Sequence, residues 1–187
     1  MKLAVKIVFF LLFCYTFSMN IFGQKIENIK STGIKAAVIF PVGDFSDYYS
    51  TGFMVADVTK WYLSGNVRAV GRLELAFFGG KEISAIGYPG YTYTTNPIGI
   101  FTAGTGLEIT FEPKSGFYGI LEFPSMNIDM AQGTGFRVGL GIGFGYEFYL
   151  GKSMFGFEVR YNRYNALLIQ NSEKSQIGLQ FGLEAAF

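Results

Sequence analysis

FRVGLGIGFGYEFYL, residues 136–150, alternates apolar side chains with small or polar ones from end to end. The apolar set begins at Phe136 and ends at Leu150, and the intervening positions carry Arg137, four glycines, Glu147 and Tyr149. Because a β-strand sends successive side chains to opposite faces, this stretch predicts a strand with one apolar face and one face of glycine and charge.

The same alternation recurs along the chain and predicts eight strands. QIGLQFGLEAAF, residues 176–187, repeats it almost without exception. The other predicted strands cover residues 34–40, 51–62, 67–78, 101–111, 117–123 and 155–161. In segment 51–62 the apolar set changes phase around Asp57, which predicts a β-bulge there.

The first 23 residues have the pattern of a secretory signal peptide. Lys2 and Lys6 precede an apolar run, and the small residue Gly23 follows a more polar end. The run is too short to span a membrane, which takes about 20 apolar residues. We therefore predict a signal peptide at 1–23, cleaved after Gly23, and one domain at 24–187. Cys14 is better interpreted as an apolar filler of the signal than as a lipidation site.

Composition excludes several classes of function. The 187-residue chain has no His and a single Cys, so catalytic triads with His, His-ligated zinc and disulfide frameworks have no residues to build them. The formal net charge is +1, so the chain lacks the excess of positive charge that a nucleic-acid binder uses to neutralise phosphates. A carboxylate pair such as Glu147 and Glu158 could in principle do acid–base work, but lumen ions explain both better. We predict no enzyme activity, no catalytic residue, no cofactor and no metal.

The connections between predicted strands alternate in length. Residues 41–50, 79–97, 124–135 and 165–174 form long connections, whereas 63–66, 112–116 and 151–153 form short ones. In an up-and-down arrangement all the long connections fall at one end. This asymmetry is typical of outer-membrane barrels, which have short periplasmic turns and longer extracellular loops.

Two features decide which face meets lipid. Glycines at 139, 141, 143 and 145 would leave bare backbone on an outer wall, whereas inside they leave room for long side chains in a narrow lumen. Aromatic residues at strand ends form two bands, as membrane interfaces favour. We predict an apolar face toward lipid; a soluble, periplasmic lipocalin-like carrier with the apolar face inside is the alternative.

With the apolar face toward lipid, five cationic and six carboxylate side chains point into the lumen. These are Lys35, Arg68, Arg72, Arg137, Arg160, Glu74, Glu108, Glu122, Glu147, Glu158 and Glu184. Because buried charges need partners, the near-balance predicts a paired network that fills the barrel, including a pair between Arg137 and Glu122. A narrow or gated path lined by Arg72, Glu74 and Arg160 is the second interpretation.

A family resemblance rests on these features together. The signal peptide, the eight amphipathic strands, PVGDFSDYYSTGF at 41–53 and a last strand ending on Phe187 resemble the small OmpX- and OmpA-like outer-membrane β-barrels of Gram-negative bacteria. The resemblance implies an all-β, eight-stranded antiparallel up-and-down transmembrane barrel in the cell outer membrane, in contact with its lipid and lipopolysaccharide. It also implies a monomer whose terminal Phe187 is the signal read by the barrel-assembly machinery.

The longest predicted loop carries the candidate binding residues. Tyr88, Tyr91 and Tyr93 lie among glycine and proline in 79–97, where amphipathic rings on a turn-rich backbone suit a binding loop. The same tyrosines could instead continue the flanking strands above the membrane. The predicted role is structural or adhesive toward an unknown surface ligand, and the alternative is a small passive channel for small or apolar solutes.

Overall fold

A computed structural model describes residues 29–84, 90–111, 116–130, 136–150, 153–164 and 175–186. The predicted signal peptide at 1–23 and the predicted assembly signal Phe187 lie outside these ranges. Within them, no helix is long and apolar enough to cross a membrane.

Eight strands form a closed antiparallel barrel. The described elements are β1 Ile29–Val42, α1 Phe45–Tyr48, β2 Tyr49–Ser64, β3 Val67–Gly80, β4 Glu82–Ser84, β5 Thr92–Thr94, β6 Ile98–Thr110, β7 Phe117–Asp129, β8 Phe136–Leu150, β9 Ser153–Arg163 and β10 Ser175–Ala186. Around the barrel the order is β1, β10, β9, β8, β7, β6, β3 and β2, and β1 closes the ring against β10. Strands β4 and β5 form a separate two-stranded hairpin. The predicted all-β, eight-stranded, up-and-down barrel is confirmed.

The apolar face of the wall points outward. Ile34, Phe144 and Phe157 are 63%, 64% and 49% exposed, whereas their sequence neighbours on the other face are buried or half-buried. A wall of this kind is stable in hydrocarbon and costly in water. The lipocalin-like alternative, with the apolar set inside, is therefore wrong.

Strand β7 runs six residues further than the sequence predicts. The predicted strand stops at Phe123, before Pro124, but the ladder resumes at Ser125 and continues to Asp129. Phe123 and Pro124 oppose single residues on both neighbouring strands, which makes a bulge. Proline has no N–H to donate, so the bulge is where it fits. The inward set changes there from Tyr118, Ile120 and Glu122 to Ser125, Asn127 and Asp129.

The bulge predicted around Asp57 is wrong. Strand β2 pairs with β1 and β3 in unbroken register through this segment. The alternation of apolar residues along β2 is irregular because both faces of this strand are apolar. Met54, Ala56 and Val58 are buried inside the barrel, while Phe53 and Val55 are exposed outside.

The connections keep part of their predicted asymmetry. At one end only two residues separate β2 from β3 and β8 from β9, and the longest connection, 81–97, lies at the other end. The contrast is weaker at 130–135, because β7 takes up half of the predicted loop. Gly65, at φ +36°, provides the left-handed backbone of the first turn.

Candidate functional site

The barrel interior gathers most of the predicted lumen charges. Nine of the eleven residues have 4% or less of their surface exposed: Lys35, Arg68, Arg72, Glu74, Glu108, Glu122, Glu147, Glu158 and Arg160. Arg137 is half-buried near the start of β8. Glu184 lies in β10 opposite Gly33 and Met154, and its side chain is outside the described part of the chain.

Near the short-turn end, two cations and two carboxylates alternate. Lys60 Nζ lies 3.1 Å from Glu108 and also pairs with Glu147. Arg68 donates to Glu147 at 2.8 Å and also pairs with Glu108. Because each charge faces two of opposite sign, this turn-end cluster has partners for ions that are removed from water.

At mid-height Glu158 is the centre of a second cluster. Its Oε2 accepts from Lys35 Nζ and from the Tyr118 hydroxyl, both at 2.9 Å. Its Oε1 accepts from Arg72 at 3.1 Å and lies 3.6 Å from Arg160. One carboxylate thus holds three cations and a hydroxyl in a fixed arrangement.

Glu122 completes the mid-height cluster, and its partners differ from the prediction. It pairs with Arg160 and lies 3.4 Å from Arg72. The predicted pair with Arg137 is therefore wrong. The register explains this result, because Glu122 lies opposite Gly141, four residues along β8 from Arg137.

The Tyr118 ring joins the two clusters. Lys60 Nζ lies 5.2 Å from the ring centroid, Lys35 Nζ lies 5.7 Å away, and the Arg68 guanidinium carbon lies 5.9 Å away. These distances are in the range of cation–π attraction. The aromatic face therefore adds a partner for cations from both clusters.

Inward glycines make room for these side chains. A Cβ at position 145 would lie 2.5 Å from the Tyr118 hydroxyl, and one at position 141 would lie 2.7 Å from Nη2 of Arg160. Since real Cβ atoms do not come so close to other heavy atoms, the glycine stripe and the long charged side chains occupy complementary space, as the sequence predicts.

The loop-end half of the lumen is polar on one side and apolar on the other. Glu74 accepts from Gln176 at 3.4 Å, and Thr102 contacts Asn127 at 2.7 Å. An apolar cluster faces them; it contains Ile39, Met54, Ala76, Phe78, Ile98 and Ile100.

Phe45 closes the apolar side of the mouth. It lies in the short helix α1 and is 2% exposed. Its ring packs edge-on against Phe78, with the ring centroids 4.8 Å apart, and at a tilt against Tyr49, with the centroids 4.7 Å apart. The first loop therefore inserts an aromatic side chain into the barrel opening.

Sequence reasoning missed Lys60, Tyr118 and Phe45. For Lys60 the signal was present, because an outward Trp61 at the interface requires its neighbour to point inward. The inward orientation of Tyr118 could likewise be predicted from strand alternation, because its neighbour Phe117 points outward. Nothing in the local pattern distinguishes Phe45 from an ordinary loop residue.

Two of the three loop tyrosines, Tyr91 and Tyr93, lie on or directly beside the β4–β5 hairpin. Tyr93 is in β5 opposite Ile83, and Tyr91 immediately precedes that strand. The two side chains are 52% and 71% exposed. Tyr88 lies outside the described residues. The expectation that these tyrosines extend the strands above the barrel fits this hairpin, which also displays the rings to solvent.

A closed eight-stranded barrel with an apolar outer wall and a charged interior is an outer-membrane β-barrel. The chain is similar to Neisserial surface protein A (NspA), with 14% identity over 84% of this chain and 96% of that one and a TM-score of 0.55. It also aligns with Ail, the attachment invasion locus protein of Yersinia pestis, solved with the heparin analogue sucrose octasulfate. That alignment has 11% identity over 85% and 96% of the two chains and a TM-score of 0.47.

No protein-family model and no curated protein matches the chain. The likeness to NspA confirms the fold that the resemblance to small outer-membrane barrels implies.

Proposed function

We propose that this barrel is a non-enzymatic protein of the outer-membrane surface, with a filled lumen, that binds a surface ligand through its extracellular loops. The observation that carries the proposal is the contrast between its two parts. The interior charges are engaged with one another, whereas Tyr91 and Tyr93 are displayed to solvent. NspA, a structural neighbour, is named a surface protein.

The hairpin base is well anchored for a binding role. The Lys81 amide donates to Thr95 Oγ1 at 2.9 Å, and the Thr95 amide donates to the Lys81 carbonyl at 3.0 Å. Lys81 Nζ also donates to the Ser46 carbonyl at 2.9 Å, and Thr95 Oγ1 to that of Tyr48 at 2.5 Å. Because these bonds connect the hairpin to α1, the tyrosines stand on a preorganised base, which reduces the entropy lost on binding.

Replacing both exposed tyrosines tests the binding role. We expect Tyr91→Ala with Tyr93→Ala to lower adhesion of cells that display the barrel to host-cell or matrix surfaces by about tenfold or more, since exposed aromatic anchors carry much of the binding energy. The measurement is counting adherent cells at equal surface expression. Tyr149→Ala is the matched control, because it removes a half-exposed tyrosine from the opposite end of the barrel.

Equal adhesion of the double variant and the parent would contradict the binding role of this hairpin. It would leave a structural role in the membrane as the function of the barrel. A loss in Tyr149→Ala as large as in the double variant would point to general damage to the barrel.

The channel alternative is tested by conductance. The observation in its favour is that a loop side chain, Phe45, covers the apolar side of the mouth. We expect no steady openings in a planar bilayer from either the wild-type barrel or Phe45→Ala, because the two charged clusters still fill the lumen below. Steady openings in the wild type would support transport, and openings confined to Phe45→Ala would identify α1 as a gate.

A further inference from the structure

Helix α1 lies against one of the two faces of the β4–β5 hairpin. Lys81 and Thr95 flank the hairpin strands, and both side chains reach α1. Lys81 Nζ donates to the Ser46 carbonyl at 2.9 Å. Thr95 Oγ1 donates to the Tyr48 carbonyl at 2.5 Å, and α1 also contacts β4 directly. These contacts identify the face of the hairpin that is turned toward α1.

An aromatic and an apolar side chain share this face above the helix. Ile83 follows Lys81 by two residues, and Tyr93 precedes Thr95 by two. Ile83 and Tyr93 are also paired across the hairpin. Because side chains two residues apart in a strand share a face, this pair stands about 7 Å beyond the flanking residues, on the α1 side. Ile83 is half-buried and both of its neighbours in β4 are exposed, which agrees with this orientation.

Helix α1 brings two carboxylates to the foot of the same face. Asp44 is the N-cap residue of α1, Asp47 lies within its single turn, and both are exposed. The Asp44 side chain makes no capping hydrogen bond, so its carboxylate is not used to hold the helix. We call the junction of the two elements, made of Asp44, Asp47, Ile83 and Tyr93, the loop corner.

The charge around the loop corner is acidic. Among the described residues, the exposed charged side chains at this end of the barrel are Asp44, Asp47, Lys81 and Glu82. The single ammonium of this set donates to a backbone carbonyl of α1. The loop residues outside the described ranges add one Glu and one Lys, which cancel. The half-buried Arg137 and Arg163 belong to β8 and β9, across the ring from the corner.

An aromatic ring beside carboxylates is suited to a cationic side chain. The face of a tyrosine ring attracts an ammonium or guanidinium group that lies within about 6 Å of its centroid. Carboxylates form charge-assisted hydrogen bonds with the same groups. The methylene stem of a lysine or arginine can at the same time cover the apolar Ile83. An anionic ligand would instead meet charges of its own sign.

We propose that the loop corner binds lysine or arginine side chains of a basic segment of a partner protein. This inference rests on the proposed function and names the chemistry of its ligand. The corner is an open junction of exposed groups, which suits a chain lying across it, whereas a small molecule is usually bound in a concave pocket. Tyr91, which is also exposed and lies two residues beyond Tyr93, provides a ring for a second cation of the same segment.

The test measures peptide binding to barrels in neutral lipid vesicles. The probe is a fluorescent peptide of four Gly-Lys-Ser triplets, and the comparison peptide carries Glu in place of each Lys. Phosphatidylcholine vesicles have no net charge, so an attraction that distinguishes the peptides must come from the barrel. Because each vesicle displays many barrels and each peptide several cations, weak single contacts add up.

We expect the Lys peptide to bind the wild-type barrel and the Glu peptide not to bind. Asp44→Asn combined with Asp47→Asn should weaken binding by about tenfold, since both charge-assisted contacts are lost. Tyr93→Leu should weaken it by about two- to fivefold, because it keeps an apolar side chain but removes the ring. At about 1 M salt, where the screening length falls to about 3 Å, binding should be lost.

Glu82→Gln is the matched control. Glu82 lies on the other face of the hairpin, where it accepts from Thr92 Oγ1 at 2.5 Å, and glutamine keeps an acceptor for this bond. The substitution removes a carboxylate from the same loop surface but not from the corner. We expect it to change the affinity by less than about twofold. For every variant, different migration of unboiled and boiled protein on a gel verifies that the barrel is folded.

Equal binding of the two peptides, or no binding of the Lys peptide to the wild type, would overturn the proposal. So would a loss in Glu82→Gln as large as that in the Asp44 and Asp47 double variant. The adhesion assay separates this inference from the proposed function. Adhesion that is lost without Tyr91 and Tyr93 but unchanged without the two carboxylates would keep the adhesive hairpin and overturn the cationic ligand. Peptide binding that depends on the corner, with adhesion unchanged in the tyrosine variant, would support the cationic ligand and contradict the adhesive role.

Discussion

Glu158→Ala should be among the most destabilising single substitutions in the barrel. It leaves Lys35, Arg72 and Arg160 without the carboxylate on which they converge, at positions that are 2% exposed or less. Removing one partner of a buried ion pair costs about 3–5 kcal/mol, and here Lys35 loses the carboxylate Glu158 while Arg72 and Arg160 keep Glu122. Equilibrium unfolding in urea from lipid vesicles should show a loss of stability of this size. The folded fraction can be measured on a gel, where an unboiled, folded barrel and a boiled, unfolded one migrate differently.

A second substitution separates the charge effect from general damage. Lys35 Nζ donates to Glu158 at 2.9 Å and to Tyr118 at 3.3 Å. If uncompensated charge is the cause, Lys35→Met combined with Glu158→Ala should lose less stability than the sum of the two single variants. Additive losses would show that Lys35 and Glu158 do not act as a pair. Glu82→Ala, on the exposed hairpin, controls for loss of a carboxylate and should change the midpoint little.

The alternation of apolar residues with small or polar ones was sufficient to predict which side chains form the outer wall of the barrel. Along β8 every second side chain from Val138 to Leu150 points to lipid, and the glycines between them face the lumen, because nothing interrupts the pleat of the strand there. The pattern failed where the pleat itself changes. The bulge at Phe123 and Pro124 inverts the inward set of β7, so a strand read by strict alternation ends six residues early.

Membership of the lumen was predictable, but the pairing within it was not. Phase alone places Arg72, Glu122 and Glu158 inside. Which cation each carboxylate meets depends on strand register and on contacts across the barrel, and these join residues as far apart in sequence as Lys35 and Glu158. The position of Phe45 could not be predicted either. It is a loop side chain that enters the mouth of the barrel because it packs there against Phe78 and Tyr49.

Ile142→Arg should lower the stability of the barrel, and the size of the loss depends on how deep residue 142 lies in the membrane. Ile142 lies at the middle of β8, is 55% exposed and is flanked on the outer wall by Leu121 and Tyr161. An arginine on the lipid face costs about 2–4 kcal/mol at the bilayer midplane and about 0–1 kcal/mol near the interface. Leu150→Arg is the matched control, because Leu150 ends the same strand on the same face and is 62% exposed.

Unfolding from vesicles should therefore separate the two variants, with the larger loss in Ile142→Arg. In a protein surrounded by water, an arginine at either exposed position would be solvated and the two losses would be small and equal. Equal losses would thus contradict the lipid-facing wall, whereas a depth-dependent difference ties the alternation of residues 136–150 to the membrane itself.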